Sequence, residues 1–134
     1  MKLNGRPKYI LRREISVQRS EAELRLYRAK RDFFEEKYGV EFDFAIDNRG
    51  YAHKVFQEKE LSVEAEHAVM NDLTMWDMES NISVRFKEAM DKFDDARRIV
   101  ETDAYEDMTE FELQDMVYGI TKDLPRGKSK GCKR

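Results

Sequence analysis

The stretch VEFDFAIDNRGYAHKVF, residues 40–56, decides the fold. Val40, Phe42, Phe44 and Ile46 alternate with Glu41, Asp43, Ala45 and Asp47, the two-residue period of a half-buried strand. Asn48-Arg49-Gly50 supplies turn chemistry, and Tyr51-Ala52-His53-Lys54-Val55-Phe56 returns as a second strand. A lone two-stranded hairpin is barely stable in water, so its apolar face needs a helix or another chain against it. Its open edge also makes a second copy of the chain a candidate partner, through strand addition.

Both flanks read as helical. Upstream, Ser20 and Glu23 match a capping box, and Leu24, Tyr27, Phe34 and Tyr38 recur at helical spacing. Gly39 follows as the expected left-handed stop, with Arg28–Asp32 and Arg31–Glu35 as i,i+4 pairs on the wet side. Ahead of that helix, MKLNGRPKYILRREI mixes glycine, proline and five basic residues and reads as an arm over 1–15.

Downstream, Ala65, Val69, Leu73 and Trp76 form one apolar stripe. Met75, Met78, Ile82, Phe86, Ala89, Phe93, Ala96 and Val100 form a second, offset around the axis. The stripes overlap at Ser80-Asn81, which leaves open a break there or one long helix with two faces. Thr109 and Glu112 announce a last capped helix carrying Leu113, Val117, Ile120 and Leu124, and Pro125 ends it. The expectation is a single α+β domain over 16–125, predominantly helical. It comprises an N-terminal helix, one β-hairpin and two to three amphipathic helices, followed by a basic tail over 126–134.

A chain of 134 residues has room for one domain with a real core. Cys132 is the single cysteine and has no partner for an internal bridge. With no apolar leader and no long apolar run, the expected setting is the cytoplasm, without a membrane. Charge is unevenly spread: the net is +5 over 1–38, −1 over 39–55, −12 over 56–116 and +5 over 117–134. Positive ends thus flank a strongly negative middle.

Several chemistries fail on spacing. Gly127-Lys128-Ser129 lacks the second glycine of a phosphate loop, because Lys122 stands there, and no helix follows. Cys132 has two residues behind it, one too few for prenylation. Glu64 and His67 make a single E-x-x-H step, whereas a di-iron bundle needs two; a solvated histidine on an acidic helix is the plainer reading. Asp43 to Lys54 fails as a calcium loop, since Ala45 and Lys54 occupy ligand positions. Asp43 or Asp47 followed by Gln57-Glu58-Lys59 has the order of a metal-dependent nuclease site, but the short motif is common and further strands are missing. No serine has nucleophile-elbow context. No catalytic residue, metal ligand or cofactor is therefore assigned.

Charge and methionine point to partners instead. The first expectation is a small non-enzymatic interaction module, an inhibitor or regulator whose acidic helical face occupies a basic surface on a protein partner. Rows of carboxylates imitate phosphates in phage-type inhibitors of nucleic-acid enzymes, a likeness here of composition only. Asp72, Asp77, Asp91, Asp94 and Asp95 are its acidic contacts, with Trp76 and Met70 beside them; Met70 lies off the core stripe. The alternative is a nucleic-acid-binding regulator using Lys2, Arg6, Lys8, Arg12 and Arg13 with Arg126, Lys128, Lys130, Lys133 and Arg134. The basic ends also have a plainer use, folding back on the acidic middle. The nuclease comes third.

Overall fold

A computed structural model describes residues 2–47 and 51–125. The Asn48-Arg49-Gly50 turn and the tail cations Arg126, Lys128, Lys130, Lys133 and Arg134 lie outside the described residues. Helix α1 spans Lys8–Tyr38, strand β1 Phe42–Ile46, strand β2 Ala52–Gln57, helix α2 Val63–Glu79, helix α3 Asn81–Glu101 and helix α4 Glu110–Tyr118, with a 3-10 turn at Ala104–Asp107. This is the predominantly helical α+β architecture expected from sequence. The described residues gather into two compact units, one of residues 2–22 and 87–124, the other drawn from 23–86.

Four details of α1 differ from the sequence reading. The helix begins at Lys8, so residues 8–15 are helical and only 2–7 precede it. Pro7 acts as a starter, its carbonyl accepting from Ile10 and Leu11 N–H, because a proline at a helix N-terminus loses no needed donor. Ser20 is consequently interior and caps nothing. The buried face is Leu11, Ile15, Ala22, Leu26 and Phe34, whereas Leu24 is exposed. Lys30 falls on that buried face with 1% exposure. Arg31 and Glu35 form the expected pair at 4.0 Å. Asp32, however, is buried, and both carboxylate oxygens lack a hydrogen-bond partner.

In the unit of residues 23–86, Gly39 takes φ +72° and lets the chain leave α1 towards the hairpin. β1 and β2 pair antiparallel, Phe42 opposite Gln57 and Ile46 opposite Ala52. A register shift after Asp43 leaves Val55 as the extra residue of a bulge. Val40, Phe42 and Phe44 turn inward, and Phe34 of α1 meets Phe42 and Phe44 at 5.7 and 5.8 Å between ring centroids. That is the helix cover the hairpin required. Val69 and Trp76 of α2 and Ile82 and Phe86 of α3 complete this core, but Met78 is exposed rather than buried.

Helices α2 and α3 break at Ser80, which is extended at φ −68°, ψ 142°. Its side chain accepts the Ser83 N–H at 3.1 Å and so caps α3. In the other unit, Leu11, Ile15 and Ala22 share a core with Ala89, Phe93, Ala96 and Val100 of α3, Tyr105, and Leu113, Val117, Ile120 and Leu124. Thr109 and Glu112 make the anticipated reciprocal capping box on α4, but the helix ends at Tyr118 with Gly119 as its cap, so Ile120 and Leu124 lie in the turns beyond it and Pro125 does not end it. Among the described residues, no helix is long and apolar enough to cross a membrane.

Candidate protein-interaction surface

Helix α2 carries four of the seven residues expected to meet a partner, and it separates them by role. Ser62 caps it by accepting Ala65 N–H, and Glu64 and Glu66 in the first turn favour the positive end of the helix dipole. Hydrogen bonds from Leu61 N–H and then Gln57 hold the Glu66 carboxyl below the usual range. Three residues expected to be contacts serve as fasteners within the unit, one of them buried and two half-buried. Asp77 receives the buried Lys30 ammonium at 2.9 Å. Trp76 is buried, and its ring lies 5.3 Å from the same ammonium. Asp72 accepts from Lys37 at 2.7 Å and from the Tyr38 hydroxyl. These two bonds keep its carboxyl low, while burial and then Asp72 push the Tyr38 hydroxyl up to about 12.

The fourth residue faces outward. Met70 is exposed, as are Val63 and Met78, each at about two-thirds or more. The helical repeat places Val63, His67, Met70, Thr74 and Met78 within an arc of about 80°. Buried Val69 and Trp76 occupy the other side. Val63 was missed in the sequence, and Met78 was assigned to the core. Their signal was the seven- and eight-residue spacing from Met70, which runs off the core stripe. From Glu60 to Val84 the chain holds no lysine or arginine. Glu60, Glu64 and Glu79 remain exposed there, without an ion pair among the described residues.

In the other unit, Asp91, Asp94 and Asp95 are exposed on α3. Asp94 lies 3.7 Å from Arg97 and Asp95 3.0 Å from Arg98, and Lys87 and Lys92 share the exposed surface. α3 therefore presents mixed charge rather than a row of carboxylates.

The N-terminal cations fold back on acidic groups, the plainer use noted above. Arg6 bonds Glu14 and, at 2.8 Å, Glu110; Lys8 meets Asp103 at 2.6 Å; Arg12 grips Glu101 with two bonds of 2.6 and 2.7 Å. The Arg12 contact holds the Glu101 carboxyl low. Lys2 donates to the Arg6 carbonyl and lies over the Tyr105 ring. Arg13 is exposed and, like Lys2, has no ion pair among the described residues.

The nuclease residues also have other attachments. Asp43 accepts the Tyr27 hydroxyl at 2.6 Å, Asp47 bonds His53 at 2.7 Å, and Gln57 donates to the Lys59 carbonyl and to Glu66. Glu64 and His67 are exposed on α2. Among the described residues, no group of three or more His, Cys, Asp or Glu side chains is arranged to hold a metal ion. No protein-family model, curated protein or solved structure matches the chain.

Proposed function

We propose that this chain is a non-enzymatic protein-interaction module that lays the outer face of α2 into a cationic, apolar-floored groove on another protein. The observation carrying this reading is the uncovered row of Val63, Met70 and Met78 on a helix with acidic residues and no lysine or arginine from 60 to 84. Recognition of this kind seats an amphipathic helix by apolar anchors about one and two helical turns apart, and methionine adapts its shape to the groove. Carboxylates around the anchors steer the helix to a basic surface, including one that otherwise holds nucleic acid. The partner removes from water what folding left exposed, worth about 1–2 kcal/mol for each side chain of this size.

The nucleic-acid reading draws less support, because Arg6, Lys8 and Arg12 already meet carboxylates. Affinity capture with the full chain, run with and without nuclease, tests the proposal. Wild type is expected to retain one protein after nuclease treatment. A Val63→Ser/Met70→Ser/Met78→Ser variant loses it, while Asp94→Lys/Asp95→Lys keeps it. Recovery only through nucleic acid, or full retention by the triple variant, refutes the reading.

A further inference from the structure

A second apolar face, in the other unit, has no role in the reading above. On α4, Leu113 and Val117 are buried, while Phe111 is 77% and Tyr118 57% exposed. Phe111 and Tyr118 stand seven residues apart, so the helical repeat brings them within about 20° of one another, opposite the buried pair. Asp115 projects on the same side, between the two rings along the axis. An exposed phenylalanine and tyrosine aligned on one helix face have the spacing of groove anchors, and aromatic residues are enriched at interfaces.

Charge selects what covers this face. From Ile99 to Thr121 the chain holds no lysine, arginine or histidine, but it has Glu101, Asp103, Glu106, Asp107, Glu110, Glu112 and Asp115. Arg12, Lys8 and Arg6 compensate Glu101, Asp103 and Glu110. Asp107, Glu112 and Asp115 have no ion pair among the described residues, although Glu112 accepts Thr109 N–H in the capping box. A nucleic acid or an anionic membrane is repelled by such a surface, and so is the same face of a second copy. Alongside α4 runs a groove of about 280 Å³ with Ala96, Ile99 and Met116 in its floor. Asp95 and Asp115 balance Lys92 and Lys122 around it, and Lys92 is turned to Asp123 at 3.3 Å. The groove itself, near neutral in its lining, suits an apolar side chain.

We infer that the outer face of α4 docks a basic amphipathic segment of another protein. Its apolar residues pack on Phe111, Tyr118 and the neighbouring groove, and its lysines or arginines meet Asp107, Glu112 and Asp115. This surface is separate in sequence and composition from α2, and the test keeps the two apart.

The isotope-labelled full chain is titrated with two probes of equal charge, a helical lysine/leucine amphipathic peptide and oligolysine, and followed by residue-resolved NMR. The lysine/leucine peptide is expected to shift the amides of 110–118 and to bind there about tenfold more tightly than oligolysine. Phe111→Ser/Tyr118→Ser removes that advantage at 110–118 and leaves oligolysine binding unchanged. Asp115→Asn, which keeps both rings, weakens both probes and covers the case in which the double variant is misfolded. Equal binding of the two probes at 110–118 in the wild type overturns the inference, as does an unaltered response of the double variant. Shifts confined to 63–79 also overturn it, while leaving the α2 reading standing. Shifts at 110–118 without any at 63–79 support the inference, and the α2 reading then stands or falls on the capture experiment alone.

Discussion

Replacing Asp77 with asparagine is expected to destabilise the unit of residues 23–86 far more than removing the charge it faces. Lys30 is 1% exposed, its ammonium is 2.9 Å from Asp77 Oδ1, and the rings of Phe44 and Trp76 stand 5.3 Å away on centroid measure. Breaking a buried ion pair from one side strands a charge and costs about 3–5 kcal/mol. Two features reduce that figure here. Asp77 is 26% exposed, so solvent already screens the pair, and the side-chain carbonyl oxygen of the asparagine can still accept from the ammonium. The expected loss for Asp77→Asn is about 2–3 kcal/mol, which lowers a urea midpoint by about 1–2 M.

Lys30→Met keeps the packed stem, deletes the buried charge and leaves Asp77 able to reach water. Its expected effect lies within about 1 kcal/mol of zero, in either direction. The assay is equilibrium unfolding in urea followed by the fluorescence of Trp76, the chain's single tryptophan and a neighbour of the ammonium. The reasoning fails if Lys30→Met costs as much as Asp77→Asn, or if Asp77→Asn leaves the midpoint unmoved.

Two further outcomes follow from the same helix. Asp32 is buried with both carboxylate oxygens unbonded, so Asp32→Ala, which removes them, should raise the urea midpoint, by about 1 kcal/mol in stability, and a lowered midpoint contradicts this. The Tyr38 hydroxyl, raised to about 12 by burial and Asp72, stays neutral after the unfolded chain has begun to ionise near its ordinary value of 10. Its contribution is therefore complete below about pH 10 and is lost as pH rises towards about 12. Tyr38→Phe should flatten that alkaline fall, as read by unfolding at successive pH values.

Most of the fold was legible because it rests on local rules. The alternation Val40-Phe42-Phe44 became the inward face of β1, and Thr109 with Glu112 became a capping box. What failed to show was each place where a tertiary contact overrides residue type. A lysine at position 30 interrupts the apolar stripe of α1, so the buried face read weakly and Leu24 was mistaken for part of it. Aromatic rings and Asp77, distant in sequence, help make Lys30 an interior residue. Pro7 read as an arm signal because proline opens helices as readily as it breaks them. The site divided in the same way. Met70 was legible as exposed from its offset alone, but Asp72 and Asp77 were not legible as fasteners, since Lys37 and Lys30 reach them from another helix.

The same division explains why the net charge of −12 over 56–116 overstates the acidity offered to a partner. Asp72, Asp77, Glu101, Asp103 and Glu110 are compensated by cations from α1 and the segment before it. Among the described residues, the exposed carboxylates without ion pairs include Glu60, Glu64 and Glu79 with the α2 row, and Asp107, Glu112 and Asp115 with the α4 pair. Exposed apolar faces invite association, and unpaired charge of one sign beside them limits which association forms. Two copies meeting through like faces bring carboxylates together, whereas a cationic groove gains from both the charge and the apolar contact. Under the proposed readings, the carboxylates that hold the fold through ion pairs and those left to meet a partner are therefore largely different residues; Glu112, which also caps α4, belongs to both sets.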